Sequence, residues 1–109
     1  MELIIDPAKF RDVFTADLPQ LQSDVYGLSQ RPIAASALED KTGHPAWRDL
    51  PSWAAVGTED KAAGADVVLS LAQRAGAQIT EIKGSHVIMI SQPEPVSNVI
   101  LTALKSVTD

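Results

Sequence analysis

The sequence predicts an α/β fold: a short parallel sheet built on a strand–helix–strand–helix unit, with helices before it. Residues 53–56 and 77–82 are short apolar runs, each followed by a glycine-containing loop, as is typical of buried strands. A stretch with helical spacing of apolar residues lies between these runs. A strand–helix–strand succession of this kind brings its two strands together in parallel.

The chain opens with a strand candidate and a short helix. Residues 1–5 are mostly apolar and can extend as a strand. Asp6 followed by Pro7 is a typical helix start, because the carboxylate caps free N–H groups and proline fits the first helical position. We therefore expect a helix over residues 7–14.

A second helix and a loop region are predicted next. Asp17 repeats the cap signal ahead of Pro19. The apolar residues that follow recur at intervals of three, four and three, which places them in one stripe: Leu18, Leu21, Val25 and Leu28. Pro32 ends or kinks this helix, and residues 33–38 are expected to add a helical turn or two. Residues 39–51 are charged and rich in glycine and proline, which predicts a loop.

Two further helices belong to the C-terminal half. Residues 62–75 predict a helix that Gly76 ends. One face of it carries Val68, Leu71, Ala72 and Ala75. Ser91 and Glu94 have the spacing of a capping box and open the closing helix. Its apolar face carries Val96, Val99, Ile100, Ala103, Leu104 and Val107.

Composition limits the class of protein. The chain has 109 residues, which predicts one domain, and its hydrophobic content of 45% argues against disorder. The net charge is −5 and the nine Lys and Arg residues are scattered, so we expect no nucleic-acid partner. With no cysteine and only two histidines, no disulfide, metal site or cofactor is expected. The sequence predicts no leader and no membrane helix, and therefore a cytoplasmic location.

An acid and a histidine follow the two predicted strands. Asp60 lies in the loop after the first strand and His86 in the loop after the second. Loops at the carboxyl ends of parallel strands form the sites of open α/β sheets, so a hydrogen bond between the two side chains is expected. In such a pair the carboxylate fixes the imidazole tautomer, and the two groups are two thirds of a hydrolytic triad. Glu59 is the alternative candidate for the acid. Ser85 and Ser91 carry the hydroxyl groups nearest to His86 in the sequence.

The order of several segments supports a family resemblance. These segments read SQRP at 29–32, AWRDLPSW at 46–53, VGTED at 56–60, RAGA at 74–77 and GSHVIMISQP at 84–93. From about residue 6 onward the chain resembles the C-terminal part of α/β-hydrolase-fold proteins, of the small esterase and cofactor-free haloperoxidase-like type. The resemblance implies a partial α/β-hydrolase fold with a cap-like segment over residues 1–38 and a core segment over residues 51–109. One departure is that residues 61–64 lack the apolar residue and proline often found soon after the acid.

The resemblance implies that Asp60 is the triad acid and His86 the general base. The family's nucleophile lies in a Gly-x-Ser-x-Gly elbow, and no such motif occurs in this sequence. We therefore expect a truncated hydrolase-like protein that is non-catalytic alone. The alternative is an esterase-type hydrolase that acts with a complementing half or as part of a longer chain.

The small size of the predicted sheet indicates that the chain associates with a partner. Two parallel strands leave unpaired edges and uncovered apolar surface, which self-association would cover. We expect a homodimer, to which residues 1–5 could add a strand, and a small-molecule ester as ligand.

Overall fold

The computed structural model describes residues 1–108 and has a mixed α/β fold with five helices. Strands β1 (Glu2–Leu3) and β2 (Ile33–Ala34) form an antiparallel pair. Strands β3 (Trp53–Gly57) and β4 (Gln78–Ile82) form a separate parallel pair, in which Trp53 lies opposite Gln78 and Gly57 opposite Ile82. The parallel pair confirms the coarse α/β prediction.

Helix α1 (Pro7–Phe14) has the predicted bounds, and the Asp6 side chain accepts a hydrogen bond from the Ala8 N–H at 2.9 Å. The same prediction was wrong for Asp17. Helix α2 (Gln20–Ser29) has Pro19 at its N-cap position and no side-chain cap.

The apolar stripe of α2 does not face the core. Leu18 is buried but precedes the helix, whereas Leu21 and Leu28 are 77% and 80% exposed. The buried side of α2 carries Ser23 and Gly27 instead. A Cβ on Gly27 would lie 3.2 Å from the Phe10 ring, so this glycine lets α1 approach α2 closely.

Residues 33–38 are only partly helical, which corrects the sequence-based prediction. The segment first forms β2 and then a 3₁₀ turn over Ala35–Leu38. The strand forms because β1 supplies a partner: the Ala35 N–H also donates to the Met1 carbonyl at 2.9 Å. Within this chain, the strand formed in residues 1–5, Glu2–Leu3, therefore pairs with β2 and does not widen the parallel sheet.

Helix α3 (Ala65–Arg74) joins β3 to β4 and begins three residues later than predicted. The delay arises because the Asp60 carboxylate takes the backbone N–H groups of Ala62 and Ala63. Gly64 then turns the chain with a φ of +89°, which favours glycine. At the other end, Gly76 follows the helix with a φ of +67°, as predicted.

A short helix α4 (Ile88–Ser91) precedes the closing helix α5 (Pro93–Val107). The predicted capping box is wrong, because Ser91 is the last residue of α4 and Gln92 occupies the N-cap position of α5 without a side-chain hydrogen bond to the helix. The Ser91 hydroxyl lies instead 3.4 Å from the Val87 carbonyl.

The core is small, and large apolar faces of the helices remain exposed to solvent. Its buried apolar residues are Phe10, Leu18, Val56, Ala72, Ile82, Val87 and Ile88. No residue of α5 is buried, and Ile100, Leu104 and Val107 are each more than half exposed. On α3, Val67 and Leu71 are also exposed. Among residues 1–108, no helix is both long and apolar enough to cross a membrane.

Candidate functional site

The candidate site lies where the loops after β3 and β4 meet. Because the strands are parallel and in register, both loops leave the same edge of the sheet. Backbone hydrogen bonds join the loops: the Thr58 N–H donates to the Ile82 carbonyl and the Glu59 N–H to the Gly84 carbonyl, both at 2.9 Å. This backbone frame holds the predicted acid and histidine side by side.

The structure brings Asp60 and His86 together. His86 Nδ1 lies 2.8 Å from Asp60 Oδ2. The other carboxylate oxygen, Oδ1, accepts from the N–H groups of Ala62 at 2.8 Å and Ala63 at 3.0 Å. Hydrogen bonds therefore hold both carboxylate oxygens of Asp60, so the carboxylate cannot rotate freely. The residue is also buried, with 8% of its surface exposed.

The surroundings of Asp60 favour its ionised form. Burial alone would raise the pKa of Asp60, but the hydrogen bonds from His86, Ala63 and Ala62 outweigh burial and hold the pKa below its ordinary value. The site therefore contains a fixed carboxylate anion directed at one nitrogen of the histidine.

The outer nitrogen of His86 is open. Since the carboxylate only accepts, Nδ1 is the donor, and the neutral ring then carries a lone pair on Nε2. The His86 side chain is 36% exposed, and no group in residues 1–108 is hydrogen-bonded to Nε2. The Phe14 ring packs against the imidazole with centroids 4.6 Å apart. This arrangement can accept a proton from a group placed at Nε2.

The rival residues are placed elsewhere. Glu59 is exposed and takes part in the loop pairing only through its backbone. Ser85 is buried, and its Oγ accepts from the Val87 N–H at 3.2 Å. Neither the Ser85 nor the Ser91 hydroxyl is hydrogen-bonded to His86 within the described residues, so neither is placed as a nucleophile.

Sequence reasoning missed Asp17 at this site. A Cβ on Gly84 would lie 2.8 Å from Asp17 Oδ2, so the carboxylate rests directly on the histidine loop. Desolvation would raise the pKa of Asp17, but the neighbouring polar groups of Ser85 and Ser91 favour the carboxylate and hold the pKa below its ordinary value. The local pattern before Pro19 suggested a helix cap, and nothing nearby in sequence pointed to the loop.

An apolar cavity of about 580 Å³ lies beside the histidine loop. Its walls come from β1, α1, α2 and β2, and Phe14 and Val87 bring it next to His86. Its other apolar lining residues are Leu3, Ile4, Ile5, Phe10, Tyr26, Ile33 and Ile90. The volume lies within the range of about 300–1,000 Å³ that is typical of small-molecule sites.

The second histidine belongs to a separate surface feature. His44 pairs with Asp49, and the guanidinium groups of Arg48 and Arg74 lie 4.9 Å and 5.4 Å from the Trp47 ring centroid. These contacts attach the long loop to the end of α3. In the part of the chain that the structure describes, no three His, Cys, Asp or Glu side chains are grouped so that they could hold a metal ion.

Comparison of the chain with protein families, with curated proteins and with solved structures found no match. The functional interpretation therefore depends on the geometry of the site.

Proposed function

We propose that this chain is an α/β-hydrolase-type module that carries the acid and the histidine of a catalytic triad and has no turnover by itself. The observation that supports it is the 2.8 Å contact between His86 Nδ1 and Asp60 Oδ2, with Nε2 left open. Each group follows a strand of one parallel pair, which is the order in which the resemblance places the acid and the base.

Each residue has a defined role in this proposal. The Asp60 carboxylate holds His86 in the Nδ1–H tautomer and stabilises the imidazolium that forms when Nε2 takes a proton from a nucleophile. Phe14 packs against the imidazole and limits the rotation of the ring. The nucleophile itself is missing, because the sequence has no Gly-x-Ser-x-Gly motif and the nearest hydroxyls make other hydrogen bonds. An acid–base pair without a nucleophile cannot form an acyl-enzyme.

The cavity beside His86 supports an ester as the ligand. Its walls are mainly apolar, and the polar amide of Gln30 is already committed to the backbone of Ile5. Such a cavity suits a molecule with an apolar group, and its lining also includes the charged Arg31.

Reaction with a fluorophosphonate, followed by intact-mass spectrometry, tests the proposal. The purified chain is expected to form no adduct, since no serine is activated by His86. His86→Ala and His44→Ala serve as matched variants, because they remove the two histidines of the chain one at a time. A stoichiometric serine adduct that His44→Ala keeps and His86→Ala loses would overturn the claim that the chain lacks its own nucleophile.

A specific observation also favours the alternative, a hydrolase completed by a second polypeptide or by a longer chain. Each strand of the parallel pair has one neighbour and one free edge within the described residues. The apolar face of α5 is open, and the Trp53 Nε1–H is buried without a hydrogen-bond partner. A neighbouring strand and covering helices would satisfy these groups.

The alternative can be tested with the same probe. The tagged chain is incubated in extract of its source organism, recovered and treated with the fluorophosphonate. If a second polypeptide completes the hydrolase, a serine on the co-purified polypeptide is expected to be labelled. When equal amounts of this partner are recovered with each variant, the labelling should be lost with His86→Ala and kept with His44→Ala. Labelling that does not depend on His86 would contradict it.

We further propose that the isolated chain forms a homodimer that covers the same apolar faces. Unpaired strand edges and exposed apolar helices are unfavourable in water, and a two-fold contact would bury both copies' faces at once. Size-exclusion chromatography with light scattering over a range of concentrations is expected to give the mass of two chains. A monomer at every concentration would contradict the proposal.

A further inference from the structure

The apolar cavity beside the histidine loop has one charged residue in its lining. Arg31 belongs to that lining, and the described residues that surround the cavity include no Asp or Glu. The only charge of the lining is therefore positive, although the whole chain carries a net charge of −5. A cavity of this electrostatic character attracts an anion.

The residues on both sides of Arg31 are fixed at the edge of the cavity. The Gln30 side chain donates to the Ile5 carbonyl at 2.7 Å and accepts from the Ile5 N–H at 2.8 Å. Two residues after Arg31, Ile33 pairs with Leu3 in the antiparallel sheet. The backbone of Arg31 is thus held in place, whereas its exposed guanidinium has no hydrogen bond or ion pair within residues 1–108.

The other polar groups of the lining offer little to an incoming acceptor. The Thr15 hydroxyl donates to Ser23 Oγ at 2.8 Å, and the Ser29 hydroxyl donates to a backbone carbonyl of its own helix at 2.7 Å. The Tyr26 hydroxyl accepts from Gln22 Nε2 at 3.3 Å and keeps its own proton free. The uncommitted polar groups are therefore a phenol proton and a guanidinium, both of which are donors, and they suit a group that only accepts.

We propose that this cavity binds a carboxylic acid with an apolar chain: the carboxylate pairs with the guanidinium of Arg31, and the chain lies against the apolar walls. A carboxylate accepts on two oxygens and so matches the paired N–H donors of a guanidinium. Phe14 and Val87 place these walls next to the acid–base pair. An acid of this class is also what ester hydrolysis releases. That link rests on the proposed function, whereas the binding claim does not.

Titration of the full chain with octanoate and with octanamide, followed by methyl NMR at constant ionic strength, tests the proposal. The two probes share one chain and nearly one shape, and only octanoate is charged at neutral pH. Binding is expected to shift the methyl signals of Ile33, Val87 and Ile90, which line the cavity, and to leave that of Leu104 on α5 unchanged. Because Arg31 is exposed, octanoate should bind only roughly fivefold more tightly than octanamide.

Three variants assign the preference to one side chain. Arg31→Gln is expected to abolish the preference for octanoate and to keep the binding of octanamide. Arg31→Lys keeps the charge but loses the paired donors, so it should retain part of the preference. Arg48→Gln is the matched control, because Arg48 is an exposed arginine that stacks on Trp47 and does not line this cavity.

Equal affinity of the wild type for the two probes, or a preference that Arg31→Gln keeps, would overturn the proposal. Shifts confined to α5, or no binding of either probe, would overturn it as well. None of these readouts needs a nucleophile. A serine adduct in the labelling experiment would therefore contradict the proposed function without affecting the titrations, and equal binding of both probes would contradict only the role of Arg31.

Discussion

Gly57→Ala is the sharpest test of how the site is built. Gly57 is the last residue of β3, and a Cβ on it would lie 2.4 Å from the Ser85 carbonyl oxygen and 3.0 Å from the Gly84 carbonyl oxygen. Both are backbone atoms of the histidine loop, so no side chain can rotate away. Its φ is not in the positive range, which makes the requirement purely steric.

The size of the effect follows from that geometry. Adding a methylene to a packed site costs about 1–3 kcal/mol, and a collision with backbone on a hydrogen-bonded loop belongs at the upper end. A loss of about 3 kcal/mol is a large part of the roughly 5–15 kcal/mol that stabilises a typical domain. At about 4–8 °C per kcal/mol for a chain of this size, Tm should fall by roughly 12–24 °C.

Urea denaturation and thermal unfolding of wild type and variant measure this loss. Gly43→Ala is the matched control, because nothing lies within 4 Å of the added Cβ. Its expected effect is neutral or a gain of up to about 1 kcal/mol, through the less flexible unfolded chain. If Gly57→Ala were as stable as Gly43→Ala, the close approach of the acid and histidine loops would be refuted.

Three further predictions concern the buried polar groups. Because the pKa of Asp60 is lowered on folding, its stabilising effect is present above the unfolded value of about 3.9 and is lost as pH falls through the folded value. Asp60→Asn should therefore unfold more easily at neutral pH and approach wild type at the acid end of a pH series of urea titrations, while Glu59→Gln should match wild type throughout. Ser23→Ala leaves the buried Thr15 hydroxyl without its acceptor and should cost about 1–3 kcal/mol in urea denaturation. Trp53→Phe removes a buried donor that has no partner, so calorimetry should show a smaller loss than the decrease in side-chain volume alone implies.

Local signals predicted the elements that position the acid and the histidine. The strands at β3 and β4 follow from short apolar runs. Gly76 ends α3 because the chain turns there with a positive φ, a conformation that favours glycine. Asp6 caps α1 because its partner, the Ala8 N–H, is two residues away. In each case the interaction that decides the structure lies within a few residues of the signal.

The errors arise where a distant partner competes with a local one. Asp17 has the same local pattern as Asp6, but its carboxylate lies against Gly84 of the histidine loop, and α2 begins after Pro19 without a side-chain cap. Ser91 fails as a cap because it ends the short helix α4, where its hydroxyl donates to the Val87 carbonyl. The exposure of the Leu21 stripe depends on α1 packing against the Gly27 side of the helix, which sequence periodicity cannot reveal.

The most direct test of the central claim is the tautomer of His86, measured from its ring nitrogen shifts with the imidazole neutral. We predict that the proton is on Nδ1 and the lone pair on Nε2 in the wild type, because Asp60 Oδ2 accepts at 2.8 Å. Asp60→Ala should lose this preference while His44 keeps its own. A wild-type His86 with its proton on Nε2 would contradict the claim that this pair is arranged for general-base chemistry.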